Sequence, residues 1–114
     1  MTAYAIGHLT EVRMGPGVVR YLEGIDATLA PFGGRFIIHG EPPEVKEGRW
    51  TGTLIVIAFP DIAAARAWYD SPAYQAILPH RADNADGVIM LVDGTPADHK
   101  ATDVLPPELL AAAR

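Results

Sequence analysis

The chain contains no cysteine among its 114 residues. A disulfide framework, a thiolate zinc site and a cysteine nucleophile are therefore excluded. Positive charge is also scarce, since 9 lysines and arginines stand against 14 acidic residues and the formal net charge is −5. Because the basic residues form no run and no basic helix face, the sequence argues against nucleic acid as a partner.

Long apolar runs and nucleotide-binding motifs are missing as well. No stretch approaches the roughly 18 apolar residues of a membrane span, and the first residues lack the regions of a signal peptide. We therefore expect no membrane association and a cytoplasmic location. The motifs GxGxxG, GxxxxGK[ST] and GxSxG are absent, and the four histidines form no HExxH-like cluster. The prediction is a protein with neither a cofactor nor a metal site.

What the sequence does contain is a globular composition, with 49% hydrophobic residues, and a length that fits one domain. Periodicity and turn residues predict four strands and two helices, the second helix being kinked. The predicted strands cover residues 4–9, 35–39, 53–59 and 87–92, and the helices cover residues 18–29 and 62–78. This βαββαβ order predicts a ferredoxin-like α+β domain over residues 1–94, with an antiparallel sheet and both helices on one face.

Local signals define how these helices begin, which face they bury and where they end. The first helix shows an apolar stripe formed by Val18, Leu22, Ile25 and Leu29. Asp61 is a predicted N-cap of the second helix, Ser71-Pro72 is a second start within it, and Pro79 is its predicted end.

Two features predict contact with a second copy of the chain. Residues 53–59 are continuously apolar, which is typical of a central strand covered on both faces. We therefore predict a homodimer in which two sheets pack face to face. The tail, residues 95–114, contains a short predicted helix from Pro107 whose Leu109 and Leu110 need a surface to cover, and we assign that surface to the partner subunit.

A set of residues spread over most of the chain matches a known family. They are Gly33-Gly34-Arg35-Phe36, Glu47-Gly48, Trp50, Phe59-Pro60, Ala65, Trp68-Tyr69, Ser71-Pro72, Tyr74-Gln75, Arg81 and Val92-Asp93-Gly94. The chain in these respects resembles the domain-of-unknown-function family 1330 of the dimeric α+β barrel superfamily. The resemblance implies a ferredoxin-like protomer, a homodimer and a cavity between sheet and helices, without an agreed substrate.

Three positions depart from what the resemblance implies. Family members often carry a glutamate before the Phe-Pro pair, an arginine at the end of the second strand and an aspartate after the first strand. This chain has Ala58, His39 and Met14-Gly15 at those places. An alanine neither holds nor releases a proton, so the acid/base chemistry of relatives does not carry over through residue 58.

Candidate catalytic and polar binding residues come from the strand ends and the second helix. By strand alternation His39 shares a face with Arg35 and Ile37, and it is either a general base or a histidine that hydrogen-bonds its loop. Arg81 is either a clamp for a carboxylate ligand or part of a salt bridge. The salt-bridge partners considered are Asp70, Asp83 and Asp86.

Aromatic residues supply the remaining candidates. We expect Tyr69 and Trp68 to belong to the core, and Tyr74 to line a pocket beside Arg81. Trp50 follows a polar loop and is a candidate for closing over the pocket, or for packing at the sheet edge. His8 is placed among the substrate-binding residues because its strand is expected between the second and third strands, near His39.

Two functions remain open on the sequence alone. One is a cofactor-free enzyme of isomerase or monooxygenase type, with His39 as base and with Arg81 and Tyr74 holding an anionic or carbonyl substrate. The other is a non-catalytic dimer that binds a small ligand or is purely structural.

Overall fold

The computed structural model describes all 114 residues. The elements follow the predicted order, with the second helix divided in two. They are β1 (Ala3–Val12), α1 (Pro16–Leu29), β2 (Arg35–His39), β3 (Thr53–Phe59), α2 (Ile62–Asp70), α3 (Pro72–Ala82), β4 (Ala85–Asp93) and α4 (Pro107–Ala112), with short 3₁₀ turns at Ala30–Phe32 and Ala101–Val104. The α+β class and the βαββαβ order are confirmed.

The four strands form one antiparallel sheet in the order β2-β3-β1-β4. β3 is therefore central, as its continuous apolar run predicts. The expectation that β1 lies between β2 and β3 is wrong, because β1 pairs with β3 on one side and with β4 on the other.

The helices α1, α2 and α3 cover one face of the sheet and enclose the core. Its largest fully buried side chains are Trp68, Tyr74 and Phe59. The indole Nε1 of Trp68 donates a hydrogen bond of 3.0 Å to Oγ1 of Thr28, which joins α2 to α1. The core assignment of Trp68 is thus confirmed, whereas Tyr69 is only half-buried.

The buried stripe of α1 differs by one residue from the predicted one. Val18, Ile25 and Leu29 are buried as expected, but Leu22 is 42% exposed and Tyr21 takes its place in the core. Spacings of three and four residues are both compatible with a helix face, so Val18 is followed equally well by Tyr21 or by Leu22. The larger aromatic side chain is the one that reaches the sheet.

The predicted caps are present, but the predicted helix end is wrong. Oδ1 of Asp61 accepts a hydrogen bond of 2.7 Å from the Ala64 amide, and Oγ of Ser71 accepts one of 3.2 Å from the Tyr74 amide. Pro79 lies inside α3, which continues to Ala82. Proline removes its own donor, yet its carbonyl still accepts from the Asp83 amide at 2.9 Å, so the last turn remains closed.

The second face of the sheet carries no helix. The alternation along the paired strands directs eleven side chains to it. They are Tyr4, Ile6, His8, Arg35, Ile38, Leu54, Val56, Ala58, Val88, Met90 and Val92, and we call this surface the open face. Its apolar members on β4 are well exposed, with Val88 at 56% and Met90 at 44%, whereas Val56 and Ala58 on the central strand are buried.

A β-bulge in β2 changes which side of the sheet His39 occupies. Phe36 pairs with Ile57 and Ile38 pairs with Val56, so Ile37 is the extra residue. His39 consequently pairs with Ile55 and lies on the helix-covered side, together with Phe36. The predicted face, shared with Arg35 and Ile37, is wrong because strict alternation does not survive the bulge.

The segment after β4 leads away from the sheet and ends in the predicted short helix from Pro107. Its apolar side chains are exposed, including Val104 at 75% and Leu109 at 55%. The molecule is correspondingly elongated, with principal extents of 58 × 34 × 19 Å. The division into residues 1–94 and a tail that packs on a partner stays a prediction. None of the helices is long and apolar enough to cross a membrane.

Candidate functional site

A cavity lies between the sheet and helices α1 and α3. It offers about 80 Å³ to the centres of water-sized molecules, several times the roughly 10–15 Å³ that one water requires. Of its 18 lining residues, 15 are hydrophobic. The space therefore suits a small organic molecule with an apolar body.

A pair of tyrosine hydroxyls forms the first polar group in the cavity wall. Tyr21 of α1 and Tyr74 of α3 are both buried, and their hydroxyl oxygens lie 2.8 Å apart in a hydrogen bond. Burial, together with the neighbouring Tyr74, raises the pKa of Tyr21 well above the ordinary tyrosine range. The Tyr21 hydroxyl therefore stays neutral at physiological pH.

Arg81, in the last turn of α3, supplies the second polar group. Its guanidinium carbon lies 5.6 Å from the centre of the Tyr21 ring, and its buried Nε atom has no hydrogen-bond partner. Burial lowers the pKa of Arg81, but the adjacent Tyr74 and Tyr21 hydroxyls act in the opposite direction and the net pKa is raised. The side chain is a permanent cation, and its Nε–H donor is unused.

The salt-bridge interpretation of Arg81 is wrong in this structure. Asp86 is bound instead by Arg13, whose two terminal nitrogens donate to its carboxylate at 3.1 and 3.2 Å. Neither Asp70 nor Asp83 forms an ion pair with Arg81. No carboxylate of the chain neutralises the Arg81 charge.

His39 also lines the cavity, from the end of β2. Its ring stacks on Phe36 with 4.3 Å between ring centres, and the residue is exposed. The predicted hydrogen bond to the following loop is not formed. His39 is thus a titratable group at the solvent-facing end of a cavity that contains Arg81 and Tyr74.

His8 and Trp50 lie elsewhere. His8 belongs to the open face, where its ring stacks on Trp50 at 4.4 Å and its Nε2 donates to the Thr51 carbonyl at 2.8 Å. Neither residue lines the cavity. The expected approach of His8 to His39 is wrong, because the two side chains point to opposite faces of the sheet.

Ala58 likewise belongs to the open face. It pairs with Tyr4 in β1 and with Arg35 in β2. The position at which the family resemblance implies a glutamate therefore does not line this cavity. Its replacement by alanine leaves the Arg81 and tyrosine groups unaffected.

Sequence reasoning placed only Tyr74, Arg81 and His39 of the lining residues in a site, and the residues it missed include Tyr21 and Gly7. Tyr21 was detectable as the alternative member of the α1 stripe, three residues after Val18. Gly7 faces the helices, and a β-carbon there would lie 3.3 Å from Cδ1 of Ile89. Nothing in the local sequence distinguishes it from a glycine that merely weakens a strand.

These elements define the class of the protein as a ferredoxin-like α+β domain with a cavity between its sheet and its helices. Residues 2–95 match the family model described as "Domain of unknown function (DUF1330)", and the chain belongs to that family. The predicted resemblance is thereby confirmed. No curated protein matches the chain.

Several solved structures share the fold. A protein of unknown function from Rhodopseudomonas palustris is 15% identical, with 83% of each chain covered and a TM-score of 0.62. A dimeric ferredoxin-like protein of unknown function from Jannaschia sp. CCS1 is 19% identical, with 84% of this chain and 100% of that chain covered and a TM-score of 0.54.

The third structure has a described activity. SnoaB, a cofactor-independent oxygenase from Streptomyces nogalater, is 14% identical, with 87% of this chain and 98% of that chain covered and a TM-score of 0.57. At such identities the likeness concerns the fold alone. The chain itself shows no group of three or more histidine, aspartate or glutamate side chains arranged to hold a metal ion.

Proposed function

We propose that this protein binds a small, largely apolar molecule in the cavity and holds an anionic or carbonyl oxygen of that molecule with Arg81 and Tyr74. The observation that supports the proposal most strongly is Arg81 in a mainly hydrophobic wall, because its buried Nε has no hydrogen-bond partner and no carboxylate neutralises its charge. Arg81 is half-buried, and a buried N–H donor without a partner is costly, so an occupant that supplies the missing acceptor is favoured.

The test is a titration of the isotope-labelled protein with benzoate and with cyclohexanone, followed by amide chemical shifts. Saturable shifts are expected for residues around the cavity, and Arg81→Met should weaken binding at least tenfold. Arg66→Met, at an exposed position of α2, is the matched control and should bind as the parent does. Shifts confined to the open face or the tail, or no shifts with either compound, would overturn the proposal.

Catalysis without a cofactor is the second candidate function, of isomerase or monooxygenase type. Two observations favour it: His39 lines the same cavity as Arg81, and the oxygenase SnoaB shares the fold. In this proposal His39 takes a proton from the carbon next to a carbonyl, and Arg81 with Tyr74 stabilises the enolate oxygen that forms.

This second candidate predicts exchange of α-protons with deuterium oxide in a bound ketone. The exchange rate should fall at least a hundredfold in His39→Gln, while binding measured by chemical shifts remains. For a monooxygenase, oxygen uptake would accompany turnover and show the same dependence on His39. Binding without exchange or oxygen uptake would favour the non-catalytic ligand-binding protein.

We also propose that two copies pair through the open face. Exposed Val88, Met90 and Val92 form an apolar strip along β4 that a second sheet would cover. The Jannaschia relative, described as dimeric, supports this arrangement. The C-terminal helix, with exposed Leu109, is proposed to pack on the partner subunit.

Light scattering tests the pairing. The expected mass is twice 12.2 kDa, and Met90→Lys should weaken association at least tenfold by placing a charge between the sheets. Val19→Lys, at an equally exposed apolar position on α1, should leave the mass unchanged. A mass of one chain at micromolar concentration would exclude the dimer.

A further inference from the structure

We infer that the cavity selects a monoanion with an apolar body, such as a monocarboxylate, and that Tyr21 is a ligand-binding residue that helps to set this selectivity. The inference rests on the proposed function and deepens it, since it names which of the anionic and carbonyl compounds the site prefers. It follows from the hydrogen-bonding capacity and the charge of one cluster, formed by Tyr21, Tyr74 and Arg81.

The cluster has more hydrogen-bond donors than the surrounding chain has acceptors for them. Each tyrosine has one O–H donor, and only one of the two is used in the bond between Tyr21 and Tyr74. The buried Nε–H of Arg81 has no acceptor in the chain, and the bond between the two hydroxyls leaves the second tyrosine O–H free to donate. A ligand group that only accepts, such as a carboxylate or an enolate oxygen, satisfies both, whereas an amine or an amide nitrogen adds another donor.

The charge of the cluster limits the ligand to one negative charge inside the cavity. Arg81 has no carboxylate partner, and the raised pKa of Tyr21 keeps that hydroxyl neutral. One anionic group therefore neutralises the site. A second buried anionic group would face hydrophobic side chains and lose its hydration without compensation.

The remaining walls determine the body of the ligand. Gly7, Ile55, Ile57 and Ile89 line the sheet side and Ile25 lines the α1 side, so the part of the molecule beyond its acid group meets mainly apolar side chains. A compact ring or a short alkyl chain fits this description. A sugar or an amino acid does not, because its hydroxyl or ammonium groups would be buried without partners.

The experiment compares benzoate with two probes of related shape on the full chain. Nitrobenzene has the same outline and two acceptor oxygens but no net charge, and terephthalate adds a second carboxylate. Binding is followed by amide shifts of cavity residues. We expect benzoate to bind at least tenfold more tightly than nitrobenzene and terephthalate.

Two variants divide the effect among the residues of the cluster. Tyr21→Phe, which keeps the ring, should weaken benzoate about fivefold and leave nitrobenzene nearly unchanged, and Arg81→Met should abolish the preference for benzoate. Comparison of its amide spectrum with that of the parent shows whether each variant is folded. The comparison of the three ligands on the parent protein does not depend on either variant.

The outcomes separate the two proposals. Equal binding of benzoate and nitrobenzene in the cavity would overturn the selection of a monoanion and leave the proposed cavity function in place. Equal effects of Tyr21→Phe on both compounds would reduce Tyr21 to a structural role. Failure of all three compounds, and of cyclohexanone, to shift any cavity residue would overturn the proposed function itself.

Discussion

The two faces of the sheet differ in what covers them and in where their polar groups lie. On the helix-covered side, large side chains such as Trp68 and Phe59 are buried, and the cavity contains an arginine and two tyrosine hydroxyls. On the open face, Val88, Met90 and Val92 are exposed. Its polar side chains are those of Tyr4, His8 and Arg35. One side of a single antiparallel sheet thus lines a mainly apolar cavity with a few polar groups, and the other side presents exposed apolar side chains.

Because of this difference, the two sides of the same strands are expected to serve different functions. Alternation gives β1 and β3 one set of side chains for each face. Changes on the helix-covered side should therefore affect stability and ligand binding, and changes on the open face should affect association. The predictions below test this separation, from the largest expected effect to the smallest.

The largest effect is expected for Trp68→Ala. The side chain is 2% exposed and contacts Phe59, Tyr69 and Tyr74, so its removal should cost about 3–5 kcal/mol of unfolding free energy. Urea unfolding, at a concentration where light scattering gives a single chain, measures the loss. Val88→Ala on the open face should cost less than about 1 kcal/mol, and similar losses for both variants would remove the distinction between the faces.

An intermediate effect is expected for Thr28→Val, which removes the acceptor of the hydrogen bond from the Trp68 indole between α2 and α1. The variant leaves the buried Trp68 N–H unpaired, so about 1–3 kcal/mol should be lost. Thr10→Val is the matched control. Thr10 donates to the backbone carbonyl of Asp86 at 3.2 Å, and this hydrogen bond is exposed. A loss for Thr28→Val no larger than that for Thr10→Val would show that the indole finds another acceptor.

A pH effect should single out Tyr21. Its pKa in the folded protein is raised by burial, while in the unfolded chain it ionises near about pH 10. Its contribution to stability is therefore complete below about pH 10 and is lost as the pH rises further. Urea unfolding from pH 8 to 11 should show this loss, and Tyr21→Phe should reduce it.

Absorbance at 295 nm gives an independent measure of Tyr21. In the folded protein at pH 11, the parent and Tyr21→Phe should show the same tyrosinate signal, because Tyr21 remains protonated. If the tyrosinate signal of the parent exceeds that of the variant by the contribution of one tyrosine, the Tyr21 hydroxyl is not protected by burial.

The smallest effect is expected for Asp86→Asn, at an end of the sheet outside the cavity wall and the open face. Arg13 lowers the pKa of Asp86 through its hydrogen bonds and its charge. Such a carboxylate contributes stability above the unfolded aspartate pKa of about 3.9, and the contribution is lost as the pH falls through the lowered folded value.

Both side chains of this pair are exposed, so high salt should weaken the contribution further. The test compares acid unfolding of the parent and of Asp86→Asn at low and high salt. A change in ligand affinity or in association on Asp86→Asn would connect this pair to one of the two faces, contrary to expectation.

The sequence predicts the framework well because strong local signals act there. The apolar run of residues 53–59, the Asp61 cap and the Ser71-Pro72 start each depend on neighbouring residues, and all are confirmed. Pro79 shows the limit of such signals. Its missing donor affects one hydrogen bond, and the packing of α3 on α1 keeps the helix continuous.

The site was less predictable because its residues are brought together by pairing across the sheet and by helix rotation. The bulge at Ile37 lies within five residues that all suit a strand, so alternation alone directs His39 to the wrong face. Tyr21 and Tyr74 are 53 positions apart, and their hydroxyl contact depends on which face of α1 meets α3. Arg81 was identified as a candidate, but the absence of a carboxylate beside it emerges only from the folded structure.

Gly7 lines the cavity with main chain, because it lacks a side chain between Ile55 and Ile89. The depth of the cavity at this point consequently depends on the identity of this one residue. Alanine or valine, each one nucleotide substitution from glycine, would raise the floor without altering Arg81, Tyr21 or Tyr74. Under the proposed function, the size of the accepted molecule can therefore evolve independently of the recognition of its charged group.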